Sequence, residues 1–346
     1  MKRIAIIGHF GLGLNLLNGQ TIKTKIVASE LGRAFGKEEI LKMDTHGGVV
    51  SLFKLPFILL FSLAKSKNVV ILPAQNGLFV IVPLLLIMNM FFHRKIHYVV
   101  IGGWMPSLIE NRPVITFFLK RIHHIYVETT VMRMALEKKS FSNVIVMANC
   151  KPLNIISGDK INTDKDRVFR LCTFSRVMKQ KGVEQAVAAV DKMNRCFGSE
   201  SCCLDIYGQI ESSEKEWFAK LQEKFPQNVI YKGVVAFDES VDVLKNYSAL
   251  LFPTLFYTEG IPGTIIDAFA AGLPVIASRW ASFSDIIDEG KTGFGYEFGS
   301  FDQLCALLEG LMTSPQKIDD MRLNCIKKAE CFLPQNALQS LENNMR

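Results

Sequence analysis

The sequence predicts an α/β protein with two doubly wound domains, each built around a parallel β-sheet. Short apolar runs alternate with longer segments of helical period in the first half, and the alternation resumes after a polar connector at 154–167. Strands that alternate with helices form parallel sheets, because each helix returns the chain across the sheet before the next strand begins. A length of 346 residues is also sufficient for two hydrophobic cores.

The first half contains six apolar runs of strand length. They read RIAIIG, EEILKM, NVVILP, IHYVVIG, HIYVET and NVIVMAN. Helices are predicted between these runs, near 20–35, 51–66, 77–92, 107–121 and 130–139. This order predicts a first sheet whose helices cover both of its faces.

The second half repeats the pattern with the runs FRLCTFS, CCLDIYG, NVIYKG, ALLFP and PVIAS. Helices are predicted near 181–196, 213–224, 239–246, 262–272, 301–313 and 316–331. We therefore expect domains over 1–153 and 154–332, with the segment 333–346 packing back on the first domain. Ligands collect at the carboxyl ends of strands in such sheets, so we expect a site in a cleft between the two domains.

The two halves differ in charge. Residues 1–165 contain 21 Lys and Arg against 9 Asp and Glu, whereas residues 166–346 contain 19 against 24. This split indicates that the halves face different partners. The basic residues do not alternate with stacking aromatic residues, so no nucleic-acid partner is expected.

The cysteines and the start of the sequence favour a cytoplasmic protein. The eight cysteines show no C-x-x-C spacing and are scattered through apolar stretches, as expected for reduced and mostly buried thiols. The opening MKRIAIIG has an apolar run that is too short for a secretory signal, and it is predicted to be the first strand.

Two very apolar segments, 52–65 and 77–92, stand out in the first half. Both are too short to cross a bilayer as a helix. They are predicted to be either two buried helices of the core or helices that lie partly against lipid. Lysine, arginine and histidine residues flank them, as interfacial anchors would. Peripheral attachment to an anionic membrane surface, at the inner face of the plasma membrane, is therefore expected.

The turn after the first strand, GHFGLGLNLLNGQ at 8–20, is rich in glycine. It does not match the G-x-G-x-x-G fingerprint of dinucleotide-binding proteins, so it gives little support for NAD. A helix is predicted to start near Gly19, which would let a phosphate group approach its backbone N–H groups. The alternative is a loop whose glycines serve turn geometry alone.

The start of the second domain places two cations at the carboxyl edge of its sheet. Arg176 follows a strand and Lys181 precedes a helix. A guanidinium can chelate two phosphate oxygens while an ammonium acts as a point charge, so the pair suits a diphosphate. The alternative is a pair of ordinary surface cations.

The segment YTEGIPGTIIDAFAAGLPVIAS, 257–278, carries a carboxylate on each side of a predicted helix start. With Pro262 in the first turn, the N–H groups of Gly263, Thr264 and Ile265 would be free to bind an anion. Glu259 and Asp267 would then bind hydroxyl groups beyond the phosphates, one on a transferred sugar and one on a ribose. The alternative is a helix-capping glutamate with a solvent-facing aspartate.

Three segments resemble the retaining GT-B glycosyltransferases of group 1 (family 4-like), which carry an E-x7-E motif. They are S-R-x-x-x-x-K-G at 175–182, the E-G-x-P-G block at 259–278, and DIIDEGKTGF at 285–294. The resemblance extends over most of 168–310 and, through GQTIKT and NCKP, more weakly over 1–153. It is strongest to bacterial members that build capsular, O-antigen and other surface polysaccharides, and it implies two Rossmann-like domains.

The resemblance implies a role for each motif residue. Arg176 and Lys181 would hold the donor diphosphate, Glu259 would contact the transferred sugar, and Gly19 would lie near the leaving group. Asp267 would bind the ribose, although it is one methylene shorter than the usual glutamate. Where many members have a histidine, this chain has Gly102, Gly103 and Trp104, which are candidates for the acceptor side. A catalytic histidine is left unassigned, because the four histidines at 93, 97, 123 and 124 suggest structural or surface roles.

The sequence thus predicts sugar transfer from a nucleotide diphosphate sugar to a hydroxyl of a lipid-linked or polysaccharide acceptor. No D-x-D pair is seen where a metal-dependent enzyme would need one, and the histidines form no metal constellation, so neither a metal nor a cofactor is expected. Two alternatives remain at this point. The first is a GT-B-fold nucleotide-sugar 2-epimerase, and the second is a non-catalytic scaffold that binds nucleotide sugars.

Overall fold

The protein divides into two compact units. A computed structural model describes residues 1–13, 19–160, 168–236 and 238–346. One unit comprises Met1–Pro152 and Leu333–Arg346, and the other comprises Leu153–Phe332. The connector predicted at 154–167 is described only up to residue 160, and its remainder lies outside the described residues, as do residues 14–18 of the glycine-rich turn.

The described residues of the first unit form six strands, which appear where the six apolar runs predict them. The elements are β1 (Lys2–Gly8), α1 (Gly19–Phe35), β2 (Ile40–Asp44), α2 (Gly48–Lys65), β3 (Ser66–Leu72), α3 (Gln75–Asn89), β4 (Lys95–Val99), α4 (Met105–Leu108), α5 (Pro113–Leu119), β5 (His124–Val127), α6 (Thr130–Glu137) and β6 (Val144–Val146). The helix after the glycine-rich turn begins at Gly19, as predicted.

The sheet of the first unit is entirely parallel and has the order β2-β1-β3-β4-β5-β6. Its apolar side chains point to both faces. One core contains residues of α2, α3, α5 and α6, among them Leu59, Val82 and Leu136. The core on the opposite face contains residues of α1, such as Val27 and Leu31. Helices on both faces of a parallel sheet form the doubly wound arrangement that the sequence predicts.

The second unit contains a sheet of the same size. Its elements are β7 (Phe169–Phe174), α7 (Val183–Phe197), β8 (Cys202–Tyr207), α8 (Lys215–Gln222), β9 (Val229–Gly233), α9 (Ser240–Leu244), β10 (Ala249–Phe252), α10 (Gly263–Ala270), β11 (Val275–Ser278), α11 (Phe283–Ile286), β12 (Gly293–Tyr296), α12 (Phe301–Thr313), α13 (Gln316–Asp319) and α14 (Arg322–Glu330). Short 3₁₀ turns also occur, at Lys37–Glu39 in the first unit and at Gly158–Lys160, Lys179–Lys181 and Ser212–Glu214 in the second.

The strand order of the second sheet is β12-β11-β10-β7-β8-β9, and all pairs are parallel. The chain moves outward from β7 to β9 in one direction and then from β10 to β12 in the other. The order therefore reverses between β7 and β10. Ligands of doubly wound sheets bind at the carboxyl ends of strands at such a reversal.

Two predicted helices differ from the structure, and one strand was not predicted. The helix predicted over 107–121 is two helices, α4 and α5, and Pro113 occupies the first position of the second one, where its missing N–H costs no hydrogen bond. The helix predicted over 316–331 is divided into α13 and α14. The sixth strand, β12, was not predicted, because its sequence GFGY carries two glycines and lacks an apolar run.

The C-terminal segment packs on the first unit through α15 (Pro334–Ala337) and α16 (Gln339–Asn343). Leu338 and Leu341 are fully buried in the core that α1 also lines. Asn344 Nδ2 donates a hydrogen bond of 3.1 Å to the hydroxyl of Tyr126 on β5. Burial of these apolar side chains stabilises the segment, by about 2 kcal/mol for each leucine.

Three histidines meet at the amino ends of β4 and β5. His97 is fully buried, and its ring lies 5.6 Å from that of His123 and 5.9 Å from that of His124. Burial, followed by the charges of His123, His124 and Lys95, lowers the pKa of His97 to about 3. His97 is therefore neutral in the folded protein at neutral pH, and its Nδ1 lies 3.2 Å from the Tyr126 hydroxyl.

We expect the protein to lose stability as the pH falls from about 6.5 towards 3. The unfolded chain protonates His97 near its ordinary pKa of 6.5, whereas the folded protein does not. The expected loss from this group is about 2 kcal/mol at pH 5. Urea unfolding at pH 7.5 and pH 5 should show this loss, and His97→Gln should reduce the pH dependence. An unchanged dependence in this variant would contradict the assignment.

Within the described residues, no helix combines the length and apolar character that are needed to cross a membrane.

Candidate functional site

Two loops lie side by side at the carboxyl edge of the second sheet, where the strand order reverses. One follows β7 and the other follows β10. The N–H of Leu255 in the second loop donates a hydrogen bond of 2.8 Å to the carbonyl of Gln180 in the first. Gly182 has a φ of 71°, and a Cβ there would lie 1.8 Å from the carbonyl oxygen of Pro253. Only glycine permits this approach, so the close packing of the two loops depends on it.

The closed loops bring together Lys181 and Glu259, two of the predicted site residues. Lys181 Nζ lies 2.5 Å from Glu259 Oε2, and the side chains are 14% and 16% exposed. The ammonium also lies 5.5 Å from the centre of the Phe252 ring, and Thr254 Oγ1 lies 3.5 Å from Glu259 Oε2. A partly buried charge is costly without a partner, so each side chain holds the other in place. The ammonium can bind an anion, and the carboxylate can accept hydrogen bonds from hydroxyl groups.

Helix α10 begins at Gly263, four residues after Glu259. Pro262 is the residue before the helix, with a φ of −69° and a ψ of 129°, and not part of its first turn as predicted. The N–H of Ile265 donates to the Pro262 carbonyl at 3.1 Å, so the prediction of a free Ile265 amide is wrong. In the part of the chain that the structure describes, the N–H groups of Gly263 and Thr264 have no acceptor.

Two further observations favour a ligand at this helix end. The hydroxyl of Thr264 is buried and has no hydrogen-bond partner among the described residues. A Cβ added to Gly263 would meet no atom within 4 Å, so the space next to its amide is open. Unpaired buried polar groups are uncommon in folded proteins. Two free amides at the positive end of the helix dipole can bind an anionic group.

Asp267 lies one turn after Gly263 on α10 and is only 4% exposed. Residues four apart in a helix share a face, so its side chain is on the same side of α10 as Gly263. The alternative of a helix-capping glutamate with a solvent-facing aspartate is wrong, because Glu259 binds Lys181 and Asp267 is buried. The ribose contact of Asp267 remains a prediction.

Arg176 follows the same strand as Lys181 but has a different environment. Its side chain is 65% exposed, and Nη1 lies 3.0 Å from Oε2 of Glu211 in the loop after β8. Lys181 is paired with Glu259 and Arg176 with Glu211, so the two cations are not held together by one carboxylate. A guanidinium in an exposed ion pair can exchange its partner for a phosphate at little cost.

The predicted residues of the first unit lie at the carboxyl ends of its strands. Gly19 begins α1, and a Cβ there would meet no atom within 4 Å. Gly102 and Gly103 form the turn after β4, and Gly102 N–H donates to Oε1 of the buried Glu128 at 3.2 Å. Trp104 Nε1 donates to the carbonyl of Ile101 at 2.6 Å. These two hydrogen bonds tie the turn to Glu128 and to the carbonyl of Ile101, and Gly102, Gly103 and Trp104 are partly exposed. The contact of these residues with an acceptor remains a prediction.

A pair of histidines was missed in the sequence analysis. His46 Nδ1 lies 2.8 Å from His9 Nε2, and His9 Nδ1 lies 2.6 Å from the hydroxyl of Thr21. Asp44 accepts from the N–H of His46 at 2.9 Å. Burial, followed by the charge of His46, lowers the pKa of His9. His9 follows β1 and His46 follows β2, and the carboxyl-end rule applied to these adjacent strands would have found them.

The remaining histidines do not form a metal site. Across the described ranges, no group of three or more His, Cys, Asp or Glu side chains is arranged to hold a metal ion. The three histidines of the β4–β5 cluster lie at the amino ends of the strands, on the opposite edge of the sheet from the turns described above.

Comparison with known proteins relates the second unit to a family. Residues 168–314 match the family of group 1 glycosyl transferases. The amylovoran biosynthesis glycosyltransferase AmsK of Erwinia amylovora is 25% identical over 182 residues, which cover 51% of this chain and 40% of that protein. The match therefore spans well under two thirds of that relative.

Solved structures show the same fold over the whole chain. HepE of Anabaena, crystallised with UDP, superposes with a TM-score of 0.78 at 14% identity and covers 100% of this chain and 99% of its own. The lipopolysaccharide outer core galactosyltransferase WaaB, in its apo form, gives 0.71 at 15% identity and covers 100% and 99%. The chain thus has the GT-B architecture, and its residues 168–314 match the group 1 glycosyl transferases.

Proposed function

We propose that the protein is a retaining, metal-independent glycosyltransferase that moves a sugar from a nucleotide diphosphate sugar to an acceptor hydroxyl. The observation that carries this proposal is the contact between Lys181 and Glu259, next to the free amides of Gly263 and Thr264, at the reversal of the strand order. Cationic and amide donors suit a diphosphate, and a carboxylate beside them suits sugar hydroxyls. HepE and its complex with UDP-glucose support a donor of this class.

In the proposed reaction the bond between the anomeric carbon and the diphosphate oxygen breaks. The acceptor oxygen forms the new bond on the same face of the sugar, and the departing diphosphate takes the acceptor proton. Lys181, Arg176 and the two amides would stabilise the charge that develops on the diphosphate. Glu259 would orient the transferred sugar, and Asp267 would bind the ribose.

The acceptor is proposed to be a lipid-linked or polysaccharide glycan of a bacterial surface. AmsK and WaaB are named for amylovoran biosynthesis and the lipopolysaccharide outer core, which supports this choice. Gly102, Gly103 and Trp104 would contact the acceptor side. The protein would work in the cytoplasm, as a peripheral protein at the inner face of the plasma membrane.

A screen of nucleotide diphosphate sugars tests the proposal. The purified protein is incubated with each sugar nucleotide and EDTA, and protein-stimulated release of the nucleoside diphosphate is measured by mass spectrometry. We expect release from one or a few donors and, with an added acceptor, a product that keeps the anomeric configuration. An epimerised sugar nucleotide without acceptor, binding without turnover, or turnover only with added Mg²⁺ would each contradict part of the proposal.

Arg176→Ala is expected to lower kcat/KM for transfer by roughly tenfold or more, because a charged hydrogen bond to the diphosphate is lost. The side chain is exposed, so the variant should remain folded. Glu211→Gln is the matched control, because it frees the guanidinium and should preserve or improve donor binding. Steady-state release of the nucleoside diphosphate measures kcat/KM for both variants, and calorimetric titration with UDP measures their affinity for the nucleotide. Wild-type affinity in Arg176→Ala would refute the role of this residue.

A further inference from the structure

The helices α2, α3 and α5 form one layer on the first sheet, and their outer surface is unusually apolar. Their inward residues, such as Leu59, Leu85 and Leu119, are fully buried in a common core. Six aromatic side chains of this layer and of the turn after α3 are at least partly exposed, and three of them are 75% to 85% exposed. They are Phe53, Phe57, Phe61, Phe79, Phe91 and Phe117. We call these six residues the aromatic face.

An apolar cavity opens on the aromatic face. It has a volume of about 610 Å³ and lies between α2 and the end of β2. Phe57, Phe61 and Leu60 line it together with Met43, and Lys54 is the charged residue of its wall. This volume is within the ordinary range of ligand-binding pockets. The lining suits a hydrocarbon chain, and the ammonium suits an anion attached to that chain.

The charges around the aromatic face have one predominant sign. Residues 45–127 contain eight Lys and Arg but a single acidic residue, Glu110. The Arg121 guanidinium lies 3.3 Å from the centre of the Phe117 ring, and that of Arg112 lies 4.8 Å from the centre of the Phe79 ring. Cations beside exposed aromatic rings are typical of side chains at a membrane interface, where the ring enters the apolar layer and the charge stays with the headgroups.

We propose that the aromatic face docks on an anionic lipid bilayer and that the cavity beside Phe57 takes a lipid hydrocarbon chain. The inference deepens the membrane location given under Proposed function and rests on that part of it. Exposed aromatic side chains that are grouped on one helical layer favour an apolar partner. The surrounding positive charge favours anionic headgroups over a neutral surface.

Flotation with lipid vesicles tests the docking. We expect the wild-type protein to float with vesicles that contain phosphatidylglycerol, and to bind less at high salt or to pure phosphatidylcholine. The double variant Phe57→Ser/Phe61→Ser should lower the partition coefficient by roughly tenfold or more. Leu323→Ser, which removes an exposed leucine from the second unit, is the matched control and should bind like the wild type. Thermal unfolding verifies that each variant is folded.

A single tryptophan substitution tests the insertion of hydrocarbon chains. Phe57→Trp should lose fluorescence with vesicles whose acyl chains are brominated, whereas Leu323→Trp should not. If Phe57→Trp still floats with the vesicles and its fluorescence is quenched, the result supports the cavity as a binding site for a lipid hydrocarbon chain. Flotation without quenching would overturn it and leave only a headgroup contact.

Three results would overturn the docking itself. They are the absence of flotation of the wild type, equal partitioning of the double variant, and a lipid-free dimer that the double variant turns into a monomer. The last result would show that a second copy covers the aromatic face. Release of nucleoside diphosphate is measured on the same samples. If the protein floats with vesicles but releases no nucleoside diphosphate, the proposed catalysis is refuted and the docking stands. If it releases nucleoside diphosphate but does not float, only the docking is refuted.

Discussion

Lys181→Met is expected to lower kcat/KM for sugar transfer by roughly a hundredfold or more. Among the residues that the structure describes, the ammonium is the one cation paired with Glu259. Removal of a single preorganised donor to a developing anion typically has an effect of about 10²–10³. Methionine keeps an apolar stem near the Phe252 ring, so the packing of the loop is disturbed little. Steady-state release of the nucleoside diphosphate, with and without acceptor, measures the effect.

Lys179→Met is the matched control for this prediction. Lys179 lies in the same 3₁₀ turn, but its side chain is exposed and its Nζ lies 5.8 Å from the centre of the Trp217 ring. We expect its kcat/KM to remain near that of the wild type. The double variant Lys181→Met/Glu259→Gln removes both charges of the pair and separates the loss of the cation from the cost of an unpaired carboxylate. Equal activity of Lys181→Met and Lys179→Met would refute the site.

Gly182→Ala is expected to destabilise the second unit by about 3 kcal/mol or more. The added Cβ would overlap the carbonyl oxygen of Pro253, which belongs to the backbone and cannot move without opening the loop after β10. Opening that loop would also separate Lys181 from Glu259, so activity should fall with stability. Urea unfolding followed by tryptophan fluorescence measures the loss, since Trp217 and Trp280 both lie in this unit.

The variant Gly299→Ala is the control for Gly182→Ala. It separates the steric overlap with Pro253 from the cost of placing an alanine at a positive φ. Gly299 has a φ of 78°, similar to that of Gly182, but a Cβ there would meet no atom within 4 Å. The substitution Gly299→Ala should therefore lower the free energy of unfolding only by the cost of an alanine in a left-handed backbone conformation, about 1–2 kcal/mol. A loss in Gly182→Ala no larger than that in Gly299→Ala would show that the contact with Pro253 is unimportant.

The alternation of strands and helices could be predicted from the sequence, because each element has its own local pattern of apolar and polar residues. Runs such as RIAIIG are apolar on both faces, as strands buried between two helical layers must be. The strand β12 was missed for the same physical reason, since a strand with two glycines has no such pattern. The division of the helix predicted over 107–121 depends on Pro113, whose position the sequence showed but whose effect on the preceding residues was underestimated.

The candidate site was only partly predictable. Lys181, Glu259 and Gly263 were identified from charge, helix-start chemistry and family resemblance. That Glu259 binds the ammonium of Lys181 was not predicted, and neither was the use of the Ile265 amide within its own helix turn. His9 and His46 are 37 residues apart, and the one sequence feature that connects them is that each follows a strand of the same sheet.

The sequence by itself determined the fold class, the two-fold succession of strands and helices, and the chemical types of the site residues, because these depend on neighbours along the chain. Only the tertiary structure decided which loops meet. Strand β10 pairs with β7 although about eighty residues separate them along the chain. Because the two strands are adjacent, the loops that follow them meet, and Glu259 contacts Lys181. Strand order arises from the packing of a whole sheet between its helices, a cooperative property that no single segment records.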